Sequence, residues 1–223
     1  LESFALMYLI YNEQTIVAPL ADEVTRLFAE GFLWGRKHPG YIYTTRSLRL
    51  DLAEFTLTSE NRRILKKHNL DLVAQSLPLA SVIYRWQIHA LGKEFYSQKF
   101  PETKFSAAKI RELLTVNHNF NLLFNFTFNS QPDLGYAISY QNEEILHYSY
   151  PFYKLELSNS NLGMYMMLQA ILWAQMHGKR FVYLGGVTRP TDKYKLQFNG
   201  LEWWDIDSGS WTTDLDLLKT LLL

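Results

Sequence analysis

Residues 161–185 read NLGMYMMLQAILWAQMHGKRFVYLG: Asn161 opens a mostly apolar run from Leu162 to His177, Gly178 stops it, Lys179 and Arg180 follow, and Phe181 to Leu184 is a short apolar strand. A small polar residue ahead of such a run satisfies free N–H groups at a helix start, and Ser160 or Asn161 fills that place; glycine past the last turn and basic residues near it mark the end. A helix this apolar must be buried. Upstream, Phe120 to Phe128, Tyr136 to Tyr140 and Ile145 to Tyr153 are strand-like runs, with turn signals at Gln131-Pro132-Asp133 and Gln141-Asn142, so they predict an antiparallel meander. Strand, helix and strand within about 40 residues predict a right-handed crossover between parallel neighbours in that sheet.

Further out, Ser81 to Thr115 predicts two helices broken at Phe100-Pro101, and Leu20 to Phe32 places Val24, Leu27, Phe28 and Phe32 at helical spacing. After the turn His38-Pro39-Gly40, Tyr41 to Tyr43 and Ser47 to Leu52 predict two short strands, the second with Leu48, Leu50 and Leu52 on one side and Arg49 and Asp51 on the other. Thr58 or Ser59 is placed to cap a helix from Glu60 to His68, whose Arg62, Arg63, Lys66 and Lys67 form the densest basic cluster in the chain. The expected class is mixed α+β, a mostly antiparallel central sheet with flanking helices. A small α/β N-terminal region, 1–80, is expected to be closely fused to a main domain, 81–223.

Of 223 residues, 48% are apolar and 15% aromatic, enough for one sizeable core or two small fused ones. The 22 basic and 22 acidic side chains cancel, so any contact with nucleic acid has to come from a local patch. The absence of cysteine excludes disulfides, thiolate metal sites and cysteine nucleophiles, and the six histidines show no metal-ligand spacing, so no metal or other cofactor is expected. No run approaches the length of a membrane span, and Leu1 to Ile10 lacks the basic leader of a secretory signal; a cytoplasmic protein is the default expectation.

Three stretches together resemble the aminoacyl-tRNA-protein transferases, the arginyl- and leucyl-transferases of the N-degron pathway. Gly40, Tyr41, Arg46, Arg49 and Leu50, followed by Ser59, Arg62, Arg63, Leu65 and Lys67, are similar to the family's N-terminal region and its S-x-x-R-R-x-L-x-[RK] helix. Asn161, Leu162, Gly163 and Met164, with Tyr183, Leu184 and Gly185, are similar to its S-L-G helix start and Y-L-G strand. Tyr194, Lys195, Leu196, Gln197 and Phe198 are similar to its Y-K-x-Q-[FY] run. Thr44, Thr45, Arg46 and Ser47 stand where the family carries cysteines, Asn199-Gly200 replaces its Arg-Pro, and Asp192 stands where a methionine is common.

The resemblance implies a GNAT-like acyltransferase fold and transfer of an amino acid, Arg or Leu, from aminoacyl-tRNA to a protein N-terminus, one beginning with Asp or Glu. Attack of an amine on an activated ester asks for alignment, an oxyanion donor and an exit for a proton, with no covalent nucleophile. Tyr194 and Lys195, on what reads as an exposed strand, are the expected catalytic pair. Asn161, Leu162 and Gly163 would offer helix N–H groups to the donor, with Arg62, Arg63, Lys66 and Lys67 on tRNA phosphates. Arg49 and Arg46, with Tyr183 and Gly185 of the Y-L-G strand, would hold the acceptor. Glu156, Asp192, His147 and Asp205 are unranked proton acceptors. Trp203, Trp204 and Trp211, with Tyr148 and Tyr150, are expected to pack the core and the sheet. The rival readings are an acyltransferase using acetyl-CoA or another tRNA-dependent ligation, and an inactive module that binds N-termini.

Overall fold

A computed structural model describes residues 9–128 and 131–222. The segment before Leu9, most of the apolar opening run, lies outside the described residues. The elements follow the chain as β1 (Asn12–Thr15), α1 (Ala21–Ala29), β2 (Phe32–Trp34), β3 (Tyr41–Thr44), β4 (Ser47–Asp51), α2 (Ser59–Leu65) and β5 (Asp71–Ser76). They continue as α3 (Trp86–Lys99), α4 (Ala107–Thr115), β6 (Leu122–Phe128), β7 (Gln131–Gln141), β8 (Ile145–Tyr153), α5 (Leu162–Met176), β9 (Phe181–Gly186), β10 (Leu201–Asp205), β11 (Ser210–Thr212) and α6 (Leu215–Thr220).

One sheet of eight strands runs β11-β10-β4-β9-β8-β7-β6-β5, and a three-stranded sheet runs β1-β3-β2. Every pairing in the large sheet is antiparallel except β8 with β9, the parallel pair that α5 connects. The mixed α+β class, the meander and the crossover are as the sequence predicts. The N-terminal region gives two strands to the same sheet: β4 lies between β10 and β9, and β5 forms the edge beyond β6.

Local chemistry explains most boundaries. Thr58 and Asn61 close a reciprocal cap on α2, each side-chain oxygen accepting the other's N–H at 3.1 Å. Ser106 caps α4 through the Lys109 N–H. The helix expected over Leu20 to Phe32 stops at Ala29, because Gly31 takes a φ of 83° and turns the chain so that Phe32 enters β2. β7 begins at Gln131, so the turn expected at Gln131-Pro132-Asp133 falls inside the strand, and the connection from β6 lies outside the described residues.

α5 buries Leu162, Tyr165, Met166, Met167, Leu168, Ala170, Ile171 and Ala174. Trp173 meets Phe124 edge-on at 5.1 Å and Met166 lies over Gly135, which fixes the helix against β6 and β7. Each large apolar side chain so removed from water contributes about 1.5–3 kcal/mol before conformational entropy is subtracted. The start of the helix is thereby held rigidly over the middle of the sheet. No helix among the described residues is long and apolar enough to cross a membrane.

Candidate active site where two strands part

β8 and β9 pair only through Ile145 with Phe181, Leu146 with Val182 and His147 with Tyr183. β8 then runs on to Tyr153 and β9 to Gly186 without further pairing to each other, so the two strands diverge. A bulge assists: Tyr150 faces Ile138 and Tyr148 faces Ser139, which leaves Ser149 as the extra residue and bends β8. Parallel strands that part leave backbone N–H and C=O groups without a ladder partner, and buried groups of that kind are ordinarily satisfied by other chemistry.

Side chains gather at this gap. Pro190–Gln197 forms a 3-10 segment across it, where the sequence predicts a strand for Tyr194 and Lys195. Pro190 at the first position sets φ for a helical turn, and the Asp192 carboxylate accepts the N–H groups of Thr188 at 3.1 Å and Arg189 at 3.0 Å, which winds the segment. Three residues per turn bring Arg189, Asp192 and Lys195 into one line. Lys195 donates to the Gly186 carbonyl at 2.9 Å, so its ammonium points into the gap and not outward to solvent as an exposed strand would have placed it. Gly185, at φ 77°, makes the bend that presents this carbonyl. Burial holds the Lys195 ammonium below the usual lysine range; the Asp192 carboxylate opposes that shift and Arg189 reinforces it. At Asp192 burial pushes upward, and the Lys195 and Arg189 cations with the Thr188 N–H outweigh it, so the carboxyl stays below its usual range. Arg189 also pairs with Glu102 at 3.0 Å, tying the segment to the linker after α3.

Tyr194 takes another side of the turn. The residue is 45% exposed overall, and desolvation followed by the charge of Asp192 raises its phenol well above the ordinary value. The start of α5 meets the same place. Gln197 Nε2 donates to Met164 Sδ at 3.7 Å, and a Cβ on Gly163 would lie 2.9 Å from the Tyr153 hydroxyl, which Lys99 also engages at 2.6 Å. Asn161 precedes the helix in the left-handed region at φ 64°, a conformation asparagine tolerates, and its side chain makes no cap bond, so it does not act as the cap that the sequence predicts. Beside Tyr153 a hollow of about 460 Å³ opens over Phe95, Leu91 and Leu155.

His147 and Tyr148 are residues that sequence reasoning left unranked or assigned to packing. Both are buried, and His147 Nδ1, the Tyr148 hydroxyl and Thr188 Oγ1 have no hydrogen-bond partner among the described residues. Burial, aided by the Lys195 charge, drives the His147 imidazole down to about 3, so it is neutral at ordinary pH. The only signal in the sequence was polarity inside an otherwise apolar strand.

Other predicted site residues fall elsewhere. Arg49 donates from Nε to Glu202 at 2.6 Å, and its guanidinium lies 4.2 Å from the centres of both Phe181 and Trp211, so its charge is already satisfied inside the molecule. Tyr183 is a core residue packed edge-on against Phe28 at 4.8 Å, its phenol pushed up to about 12 by burial. Arg46 donates to the Leu221 carbonyl at 3.1 Å, and its own carbonyl accepts the Val187 N–H at the end of β9. Arg62, Arg63, Lys66 and Lys67 are exposed at α2 and just beyond it, with Arg63 paired to Glu60 at 2.5 Å. That helix is joined to the first turn of α5, because the Leu70 N–H that follows it donates to the Tyr165 hydroxyl at 3.1 Å. Trp203 is buried, as expected of a core residue, and donates to the Asp214 carbonyl at 2.9 Å.

Comparison with known proteins follows this geometry. Residues 134–205, which include most of β7 and all of β8, α5, β9, the Pro190–Gln197 segment and β10, match the family described as Arginine-tRNA-protein transferase, C terminus. The chain is 25% identical over 160 residues to an aspartate/glutamate leucyltransferase of Saccharophagus degradans, an alignment covering 70% of this chain and 66% of that relative, slightly under two thirds of its length. The resemblance to aminoacyl-tRNA-protein transferases holds in both. Among solved structures, L-PGS from Bacillus licheniformis is similar at a TM-score of 0.47 and 8% identity, covering 91% of this chain and 70% of that one. A functionally unknown conserved protein from Staphylococcus epidermidis is similar at a TM-score of 0.41 and 10% identity, over 84% of this chain and 67% of that one.

Proposed function

We propose that the chain is an aminoacyltransferase of GNAT-like fold that moves leucine or arginine from aminoacyl-tRNA to the N-terminal amine of a protein, one beginning with Asp or Glu, in the cytoplasm as part of an N-degron pathway. The observation that carries this reading is the meeting of the α5 start and the Pro190–Gln197 segment at the gap between β8 and β9. The family match and the leucyltransferase relative support the reaction class.

In the reaction, the neutral amine of the acceptor attacks the ester carbonyl of the donor. A C–N bond forms, the bond from carbonyl carbon to ribose oxygen breaks, one proton leaves the amine and one reaches the departing oxygen. The first-turn N–H groups of α5 and the Lys195 ammonium are suited to the negative oxygen that develops on that carbonyl, since fixed donors in a water-poor site need no reorganisation. Tyr194, half exposed at the mouth, is suited to stack the terminal adenosine. Because Arg49 is held by Glu202 and Arg46 donates to the Leu221 carbonyl, recognition of an acidic first residue falls to the Lys195 side of the gap.

The test is an incubation of purified protein with labelled arginyl- and leucyl-tRNA and peptides beginning with Asp, Glu, Lys, Leu and Ala. Label is expected on the Asp and Glu peptides from one of the two donors, and that donor identifies the amino acid. Transfer from neither would overturn the reading; stabilisation by coenzyme A with no such transfer would move it to an acetyl-type donor.

A further inference from the structure

Along the Pro190–Gln197 segment and Arg189, which precedes it, a carboxylate falls between two cations at the three-residue spacing of a 3-10 turn. We propose that Asp192 is a positioning residue that keeps the Lys195 ammonium charged and docked on the Gly186 carbonyl at the gap between β8 and β9. Asp192 is 4% exposed, and its oxygens accept the Thr188 and Arg189 N–H groups and the Arg189 guanidinium at 3.1 Å. A buried carboxylate with this many donors is fixed in place: Asp192 sits on the Thr188 N–H and Lys195 on the Gly186 carbonyl, anchors two residues apart in the chain, so the carboxylate's charge reaches the ammonium without a direct ion pair.

Lys195 needs such a partner. An ammonium has three N–H donors, and Gly186 is the one acceptor it bonds among the described residues. The groups that face it are few: from β8 the neutral His147, from β9 the Gly186 carbonyl, and from its own segment Asp192, Arg189 and the Tyr194 ring 6.0 Å away. Arg189 repels the ammonium, and Glu102 draws part of that charge outward. Asp192 is then the carboxylate that offsets the cost of enclosing a cation. A methionine at this position, as in the resembling family, would leave Lys195 without that charge.

The role for Lys195 in transfer rests on the proposed function, but its charge state is measurable without any reaction. Lysine labelled with 13C at Cε would be titrated by NMR, the Lys195 signal being identified by its loss in Lys195→Arg. In Asp192→Asn the amide oxygen can still accept the Thr188 and Arg189 N–H groups while the charge is gone. The Lys195 midpoint is expected to fall by about one pH unit or more. An unchanged or raised midpoint would overturn the proposal. Should Asp192→Asn fail to fold, Asp192→Ser removes the same charge while its hydroxyl can still accept one of those N–H groups; the Lys195 midpoint is again expected to fall, and no fall would equally overturn the proposal. If the parent protein transfers an amino acid, the alkaline limb of its pH–rate profile should move with the NMR midpoint in Asp192→Asn. Absence of transfer would sink the proposed function and leave the titration result standing.

Discussion

Gly163 has no side chain where the first turn of α5 crosses Tyr153. A Cβ there would lie 2.9 Å from the Tyr153 hydroxyl and 3.0 Å from its ring, closer than carbon atoms settle. Tyr153 cannot easily yield, because Lys99 donates to its hydroxyl and Phe95 packs against its ring at 4.7 Å. Alanine is worth at most about 1 kcal/mol over glycine in a helix, and less in a first turn, whereas forcing a methyl into packed surroundings costs about 1–3 kcal/mol. Gly163→Ala is therefore expected to lower stability by about 1–2 kcal/mol, read as the urea midpoint, and to slow transfer through a displaced Tyr153. A variant as stable as the parent would show that the helix and the tyrosine are not in contact as described. Arg49 gives the opposite lesson in legibility. From the sequence it stands on the polar side of a strand with Asp51 as neighbour, but its partner is Glu202, which only folding brings to the same sheet. Pairs so far apart in the chain leave no local pattern to read.

The parting of β8 and β9 is a property of elements, and so is its cost. His147 lies at the last paired position, and its ring meets Phe28 at 5.3 Å and Phe120 at 6.3 Å, an apolar wall that offers an imidazolium nothing. Its folded value of about 3 lies below the ordinary histidine value near 6.5, so on acidification the unfolded chain binds a proton that the native state refuses. Stability from this group is complete above about pH 6.5 and is lost as pH falls toward 3. His118, brought down to about 4 first by burial and then by Lys109, acts in the same direction. Urea midpoints should thus begin to fall below about pH 6.5, before most carboxylates titrate. In His147→Phe, which keeps a ring against Phe28 and Phe120, that early fall should be visibly shallower; superimposable profiles would mean that His147 is protonated or solvated in the native state. The crossover itself was legible, since an apolar run ended by glycine and followed by a strand has few other solutions. The 3-10 turn was not, because alternation over a few residues around Tyr194 resembles a strand until Pro190 and Asp192 are seen to wind it.

For the molecule as a whole, 22 basic and 22 acidic side chains leave no net charge to attract tRNA, so the affinity for tRNA phosphates that the proposed function requires has to be concentrated on one surface. The exposed cations of α2 and the two lysines after it form such a surface, and the Leu70–Tyr165 hydrogen bonds fix it to the first turn of α5, next to the proposed site. An acceptor stem lying across Arg62, Lys66 and Lys67 could then reach the gap between β8 and β9 with its terminal nucleotide. Glu60 tempers the patch by holding Arg63, so Lys66 and Lys67 are the better choice for substitution. Each phosphate contact releases condensed counterions, and the plot of log affinity against log salt should become less steep by about 0.7–0.9 for each contact removed. Lys66→Ala with Lys67→Ala should therefore weaken tRNA binding at low salt, flatten that plot, and leave the urea midpoint close to the parent's, because neither ammonium is buried. It should raise KM for aminoacyl-tRNA more than it lowers kcat, since uniform binding energy is lost while the reacting groups stay in place. An unchanged salt slope would remove α2 from the tRNA path and direct the search for the donor's backbone to the lysines around α3.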